Sequence, residues 1–118
     1  MENLRTIAID LGKQKYQSLP LDRDWVKWGG RAYTSRFLFE HKIYECDPFS
    51  ADNILVIAAG LLAGSGASSS YRISIGAKSP LTGGIKEANS GGMASYAMSR
   101  LRIRALSIHG KIGRASCR

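Results

Sequence analysis

Apolar and polar positions change their period several times along the chain, and each change predicts an element. Thr6-Ile7-Ala8-Ile9-Asp10 reads as a first strand, ended by a turn at Leu11-Gly12-Lys13. Residues 15–19 predict its hairpin partner, stopped by Pro20. Asp22 and Asp24 stand where a helix start favours acids, ahead of Trp25, Val26 and Trp28. Gly29-Gly30 breaks that segment. Tyr33, Phe37 and Leu38 approximate helical spacing and predict a second helix over 32–41. After turn-rich connections at Asp47-Pro48 and Ser50-Ala51-Asp52-Asn53, residues 54–59 are continuously apolar and of strand length, which predicts a strand buried on both faces.

The second half is richer in glycine. A glycine-serine loop is expected over 60–70. Residues 71–77 alternate, with Ile73 and Ile75 expected on the core side and Arg72 and Ser74 on the polar side. Ser79-Pro80-Leu81-Thr82-Gly83-Gly84 reads as a turn. Asn89-Ser90-Gly91-Gly92 is expected to enter a helix over 93–101, and 104–108 to be the last strand. The fold class is α+β, with short strands and flanking helices. Residues 112–118 match, codon by codon, the read-through of a common sequencing adaptor. The native reading is therefore expected to stop near Gly110, with 1–110 as the domain and 111–118 as a foreign tail.

Composition narrows the function classes. A hydrophobic fraction of 44% allows a core, and 118 residues suit one domain or part of a larger protein. The net charge of +8 favours an anionic partner. Arg100, Arg102 and Arg104 alternate at strand-like spacing without an aromatic platform, a weak sign of nucleic-acid binding. Cys46 and Cys117 form no C-x-x-C, and neither His41 nor His109 stands at metal-site spacing from them. The start lacks the pattern of a signal peptide, and the apolar run is too short to span a bilayer. A cytoplasmic protein that binds neither membrane nor nucleic acid is expected.

Three features could carry chemistry. The glycine-serine loop matches neither a P-loop nor a dinucleotide fingerprint, yet its amides and hydroxyls suit anionic oxygens. Asn89-Ser90-Gly91-Gly92 could cap a helix or bring bare backbone to a ligand. Arg72, between these two glycine-rich segments, could fork onto a phosphate or ring carbonyl, and Lys78 is a weaker candidate of the same kind. No catalytic constellation stands out.

Taken in order, Trp28-Gly29-Gly30-Arg31-Ala32, Asp47-Pro48-Phe49-Ser50-Ala51-Asp52-Asn53, Gly64-Ser65-Gly66-Ala67, Arg72, Lys78-Ser79-Pro80-Leu81-Thr82-Gly83 and Ala88-Asn89-Ser90-Gly91-Gly92 resemble the N-terminal domain of the tungsten-containing aldehyde:ferredoxin oxidoreductase family. The resemblance covers essentially residues 4–110. It departs from the family at Gly60-Leu61-Leu62-Ala63-Gly64, where the usual pattern is G-P-L-T-G. It implies an incomplete domain of paired β-sheets that carries a tungsten (or molybdenum) bis(pyranopterin). In the full-length parent, aldehydes are oxidised to carboxylic acids and electrons pass through a [4Fe-4S] cluster to ferredoxin. By the resemblance, Arg72 and Gly91 contact pterin, and the backbone carbonyl of Asn89 binds the magnesium between the pterin phosphates. No catalytic residue lies in this stretch, so the 118-residue chain alone is expected to be inactive. Two other functions compete: a stand-alone pterin-binding or assembly subunit, and a small basic nucleic-acid-binding module.

Overall fold

The computed structural model describes residues 4–21, 23–25, 27–47, 49, 52–62 and 71–110. The strands are β1 (Arg5–Asp10), β2 (Lys15–Pro20), β3 (Leu55–Ala59), β4 (Arg72–Lys78), β5 (Ile85–Gly91) and β6 (Ile103–His109). The helices are α1 (Gly30–Glu40) and α2 (Ala94–Arg100). The strands form one mixed six-stranded sheet in the order β2-β1-β6-β3-β4-β5. The class is α+β, as expected. The second sheet of the pair that the resemblance implies is not among the described residues.

β1 and β2 form the expected antiparallel hairpin, and Pro20 is the last residue of β2, opposite Arg5 on the sheet edge. β1 pairs in parallel with β6, so the first and last strands are neighbours. Their register slips once: Arg5 faces Ile103 and Thr6 faces Ala105, leaving Arg104 as an extra residue. β3 lies between β6 and β4. This central place explains its continuous apolar run, with Val56 and Ala58 fully buried.

A helix lies on each face. α1 packs on β3, β4 and β5, and α2 packs on β6, β3 and β4. Between α1 and the sheet, Tyr33, Leu38, Ile43, Ile54, Val56, Ala58 and Ala105 form the larger cluster. Full burial of one such side chain as Leu38 contributes about 1.5–3 kcal/mol. The smaller cluster, Ala59, Met98 and Ile103, lies on the α2 face with Ile57, Ile73 and Leu106 against it.

Four expectations are corrected. First, Asp24 and Trp25 belong to a single 3-10 turn, Arg23–Trp25; Asp22 and Val26 lie outside the described residues. Trp25 packs tilted on Tyr33, at 5.0 Å between ring centroids. Arg36 clamps the turn, donating to the Asp24 carbonyl at 2.9 Å and stacking over Trp25. Second, the more buried face of β4 is the one with Ser74 and Gly76, not Ile73 and Ile75. α1 approaches so closely that a Cβ at Gly76 would lie 3.0 Å from Leu38 Cδ1, and only small residues fit beneath it.

Third, 85–91 is a strand rather than an approach to a helix. β5 is an edge strand exposed over most of its length, so it carries no apolar alternation to reveal it. Asn89 therefore does not cap α2, whose N-cap is Met93 without a side-chain bond. Fourth, the three alternating arginines form no stripe. Arg100 ends α2, Arg102 turns the chain at φ 60, and Arg104 is buried in β6. The αL residue that ends each helix is basic, Lys42 after α1 and Arg102 after α2, where glycine is more usual.

Candidate functional site

β4 and β5 are antiparallel neighbours, with Arg72 opposite Gly91, Ser74 opposite Asn89 and Gly76 opposite Glu87. The pleat puts these residues on one face, the face that α1 covers. α1 runs along β4, with Gly30 near Gly60, Thr34 over Ser74 and Leu38 over Gly76. Its N-terminal turn thus overlies the end of the sheet that carries Arg72 and Gly91. The Gly60 amide bonds the Arg72 carbonyl at 3.3 Å.

Arg72 is exposed, and its guanidinium has no hydrogen-bond or ion-pair partner among the described residues. A Cβ at Gly91 would stand 3.5 Å from Arg72 Nη1. The bare backbone leaves the flank of the guanidinium open. Gly92 follows at φ +111, a conformation that L side chains rarely adopt, and turns the chain towards α2.

A polar chain anchors the interior side of this corner. Thr34 Oγ1 and Ser74 Oγ are 2.9 Å apart, and Ser74 Oγ donates to Glu87 Oε1 at 2.8 Å. Ser74 spends its proton on the carboxylate, while the single Thr34 proton is shared between Ser74 Oγ and the Arg31 carbonyl of its own helix, 3.0 Å away. Both hydroxyls are fully buried and both are bonded; a buried hydroxyl left without a partner would cost about 1–3 kcal/mol. Glu87 Oε1 also accepts from Asn89 Nδ2, and Oε2 accepts from Arg31 Nε at 3.2 Å. The carboxylate therefore ties α1, β4 and β5 together beside Asn89.

The structure places Arg72, Asn89 and Gly91 on one face of the β4–β5 pair. It separates Lys78, which lies six residues along β4, roughly 20 Å away. Its ammonium donates to the carbonyls of Tyr44, at 2.9 Å, and Cys46, and so holds the 3-10 turn Ile43–Glu45. Residues 63–70 of the glycine-serine loop and the tail 111–118 lie outside the described residues. Arg31 and Glu87 were not singled out from sequence as site residues. Arg31 stands within a quoted block, but Glu87 sits in a polar strand without periodicity and had no signal.

A second group of residues gathers at the opposite end of α1. A cleft of about 230 Å³ is lined by Phe37 of α1, by its C-cap His41, and by Ser107 and His109 of β6. His41 Nδ1 bonds the Phe37 carbonyl at 2.9 Å, and His109 Nε2 bonds Ser107 Oγ at 3.0 Å. Burial holds the His109 imidazole below its usual range; the neighbouring His41 adds to this and Asp10 opposes it. Nearer the middle of the sheet, burial pushes the Tyr33 phenol up to about 12, opposed by the Arg104 charge. Arg104 donates to the Trp28 carbonyl at 2.8 Å, and burial draws its pKa down. Among the described residues no three metal-ligating side chains gather, and Cys46 is a free thiol.

The comparisons with known proteins bear on the family and the fold. The family model of the aldehyde ferredoxin oxidoreductase N-terminal domain matches residues 6–117. The tungsten-containing aldehyde ferredoxin oxidoreductase of Pyrococcus abyssi is 40% identical over 86 residues, which cover 72% of this chain and 14% of the relative. Its counterpart in Pyrococcus furiosus is 38% identical over 102 residues, covering 86% and 16%. The glyceraldehyde-3-phosphate:ferredoxin oxidoreductase of Pyrococcus furiosus is 36% identical over 72 residues, covering 61% and 11%. Among solved structures, the active-site complex BamBC of benzoyl coenzyme A reductase, in complex with 1,5-dienoyl-CoA, superposes with a TM-score of 0.88 at 27% identity, over 96% of this chain and 18% of that one. The chain thus spans between 11% and 18% of the proteins it resembles, and it belongs to the aldehyde ferredoxin oxidoreductase family through that family's N-terminal domain.

Proposed function

We propose that this domain forms one wall of a tungsten-bis(pyranopterin) site in a longer oxidoreductase that oxidises aldehydes to carboxylic acids. The observation that carries the reading is the Arg72 guanidinium, free of protein partners among the described residues and flanked by the bare backbone of Gly91. The residues fit the cofactor. A planar fork of donors suits pterin ring oxygens or phosphates, and a glycine beside it lets a flat ring approach. Asn89 lies on the edge strand, and its carbonyl would supply one oxygen to the magnesium between the pterin phosphates. When bound, the cofactor supplies the two-electron redox chemistry.

The domain's own part is to bind and orient. Glu87 holds the Asn89 side chain, and α1 shields the inner side of the site. The [4Fe-4S] cluster and the docking of ferredoxin are assigned to later parts of the parent, because a four-iron cluster takes four ligands and the described residues offer Cys46 alone. Substrate choice is assigned there too, since the same fold occurs in a benzoyl coenzyme A reductase complex. The unpaired thiol suits a cytoplasmic parent.

The test is Arg72→Lys in the full-length parent. Lysine keeps the charge but not the fork, so the loss of one charge-assisted contact is expected to cost about 1.5–3 kcal/mol, on the order of ten- to a hundredfold in cofactor affinity. Tungsten and pterin per protein, measured after exhaustive dialysis, should fall. Unchanged content would make Arg72 a solvated strand arginine.

A further inference from the structure

The role given to Arg72, Gly91 and Asn89 leaves the Trp28-Gly29-Gly30-Arg31 block unexplained. Gly29 and Gly30 bring the start of α1 against the end of β3. A Cβ at Gly29 would lie 2.9 Å from the Leu61 amide nitrogen, and Gly30 has φ +57 with Gly60 beside it. The block therefore delivers Arg31, in the first turn of α1, to the corner that holds Arg72.

The Arg31 side chain is 72% exposed, while that of Glu87 is 16% exposed. An ion pair this open adds little stability. Oε1 of Glu87 already accepts from Ser74 and Asn89, and Arg31 supplies the partner of Oε2. The pair does fix the plane of the Arg31 guanidinium through Nε, at 3.2 Å. The terminal nitrogens Nη1 and Nη2 keep four N–H donors with no partner among the described residues. A planar fork held in place loses less freedom when it binds.

Arg31 and Arg72 flank the strip Glu87, Asn89, Gly91 on the α1 face of β5. Four residue-to-residue steps along the strand make that strip about 13 Å long. Two guanidinium groups with unused donors stand over it against one carboxylate. The N-terminus of the eleven-residue α1 adds to the positive end, as its N-cap Gly29 offers no side chain to its first amides. We propose that Arg31, oriented by Glu87, is a second anion-binding residue of this site and takes a phosphate oxygen of the phosphorylated ligand whose other end Arg72 holds. The identity of that ligand as a pterin phosphate rests on the reading above; the anion site does not.

The experiment uses the full-length oxidoreductase in two preparations. One is cofactor-free protein titrated with inorganic pyrophosphate at low ionic strength. The other is loaded protein assayed for tungsten and pterin content. Arg31→Ala is expected to weaken pyrophosphate binding on the order of tenfold, and Glu87→Gln, which keeps hydrogen bonds to Ser74 and Asn89, about threefold. Arg31→Lys should recover only part of the loss. Pyrophosphate affinity unchanged in Arg31→Ala overturns the proposal, and it does so even where Arg72→Ala empties the cofactor site, in which case the cofactor reading survives alone. Affinity lost in Arg31→Ala, with cofactor content full in both Arg31→Ala and Arg72→Ala, sustains the anion site and removes the cofactor reading. Loss of both pyrophosphate affinity and cofactor content in Arg31→Ala sustains both.

Discussion

The two ends of the sheet are built differently. At one end, β3, β4 and β5 lie under α1, and hydroxyls, a carboxylate and an amide form a continuous polar chain beneath the helix. At the other end, every residue of β2 is exposed. On the α2 side of that hairpin, Ile7, Ile9, Leu106 and Tyr16 line an open groove of about 500 Å³, and Tyr16 is 76% exposed. The covered end holds specific geometry. The hairpin end offers apolar surface without a specific partner on the α2 face. A domain that occupies only part of its relatives' length is expected to show such a face.

The largest effect is expected from breaking the covered end at Gly29. In Gly29→Ala the new Cβ meets the Leu61 nitrogen and the Ala59 carbonyl, backbone that cannot rotate away. α1 must lift, with a loss of about 1–3 kcal/mol or more and a looser site. A full-length variant that melts like wild type and keeps its tungsten would show that α1 does not register on Gly29.

A smaller effect is expected at the hairpin end. The isolated 118-residue chain should bind a hydrophobic dye and self-associate through the groove. Tyr16→Lys should lower both, while changing unfolding free energy by less than about 0.5 kcal/mol. Equal dye binding by both chains would place the sticky surface elsewhere.

The smallest effect lies in the cleft between the two ends. His109 has a folded pKa below its unfolded value, so the unfolded chain binds the extra proton. Its contribution to stability is present above the unfolded pKa and is lost as pH falls through the folded one. Between about pH 7.5 and pH 5.5, spanning the ordinary histidine range, wild type should lose more thermal stability than His109→Asn. Parallel melting curves would mean that the imidazole titrates as in water.

The same contrast explains what was legible beforehand. β3 showed itself by its continuous apolar run, which fits a strand with neighbours on both sides; the expected burial holds throughout on the α1 face, while on the α2 face Ala59 is buried, Ile57 half-buried and Leu55 exposed. The hairpin showed itself through its turn residues. β5 did not, because an edge strand with one half-buried residue, Glu87, has nothing to alternate. The face of β4 was assigned backwards because size, not polarity, decides what fits beneath α1. Arg72, Asn89 and Gly91 were legible as members of sequence blocks, and the strand pairing that joins them was not. The Arg31–Glu87 contact spans 56 residues and leaves no local trace.

The parallel pairing of β1 with β6 has a consequence for synthesis. The β1–β2 hairpin can close as soon as it emerges, since its strands are four residues apart. Its seat in the sheet is β6, which leaves the ribosome nearly a hundred residues later, on the order of 5–20 s at ordinary elongation rates. Through that interval the hairpin waits with its apolar side bare, and it joins this sheet only when β6 arrives.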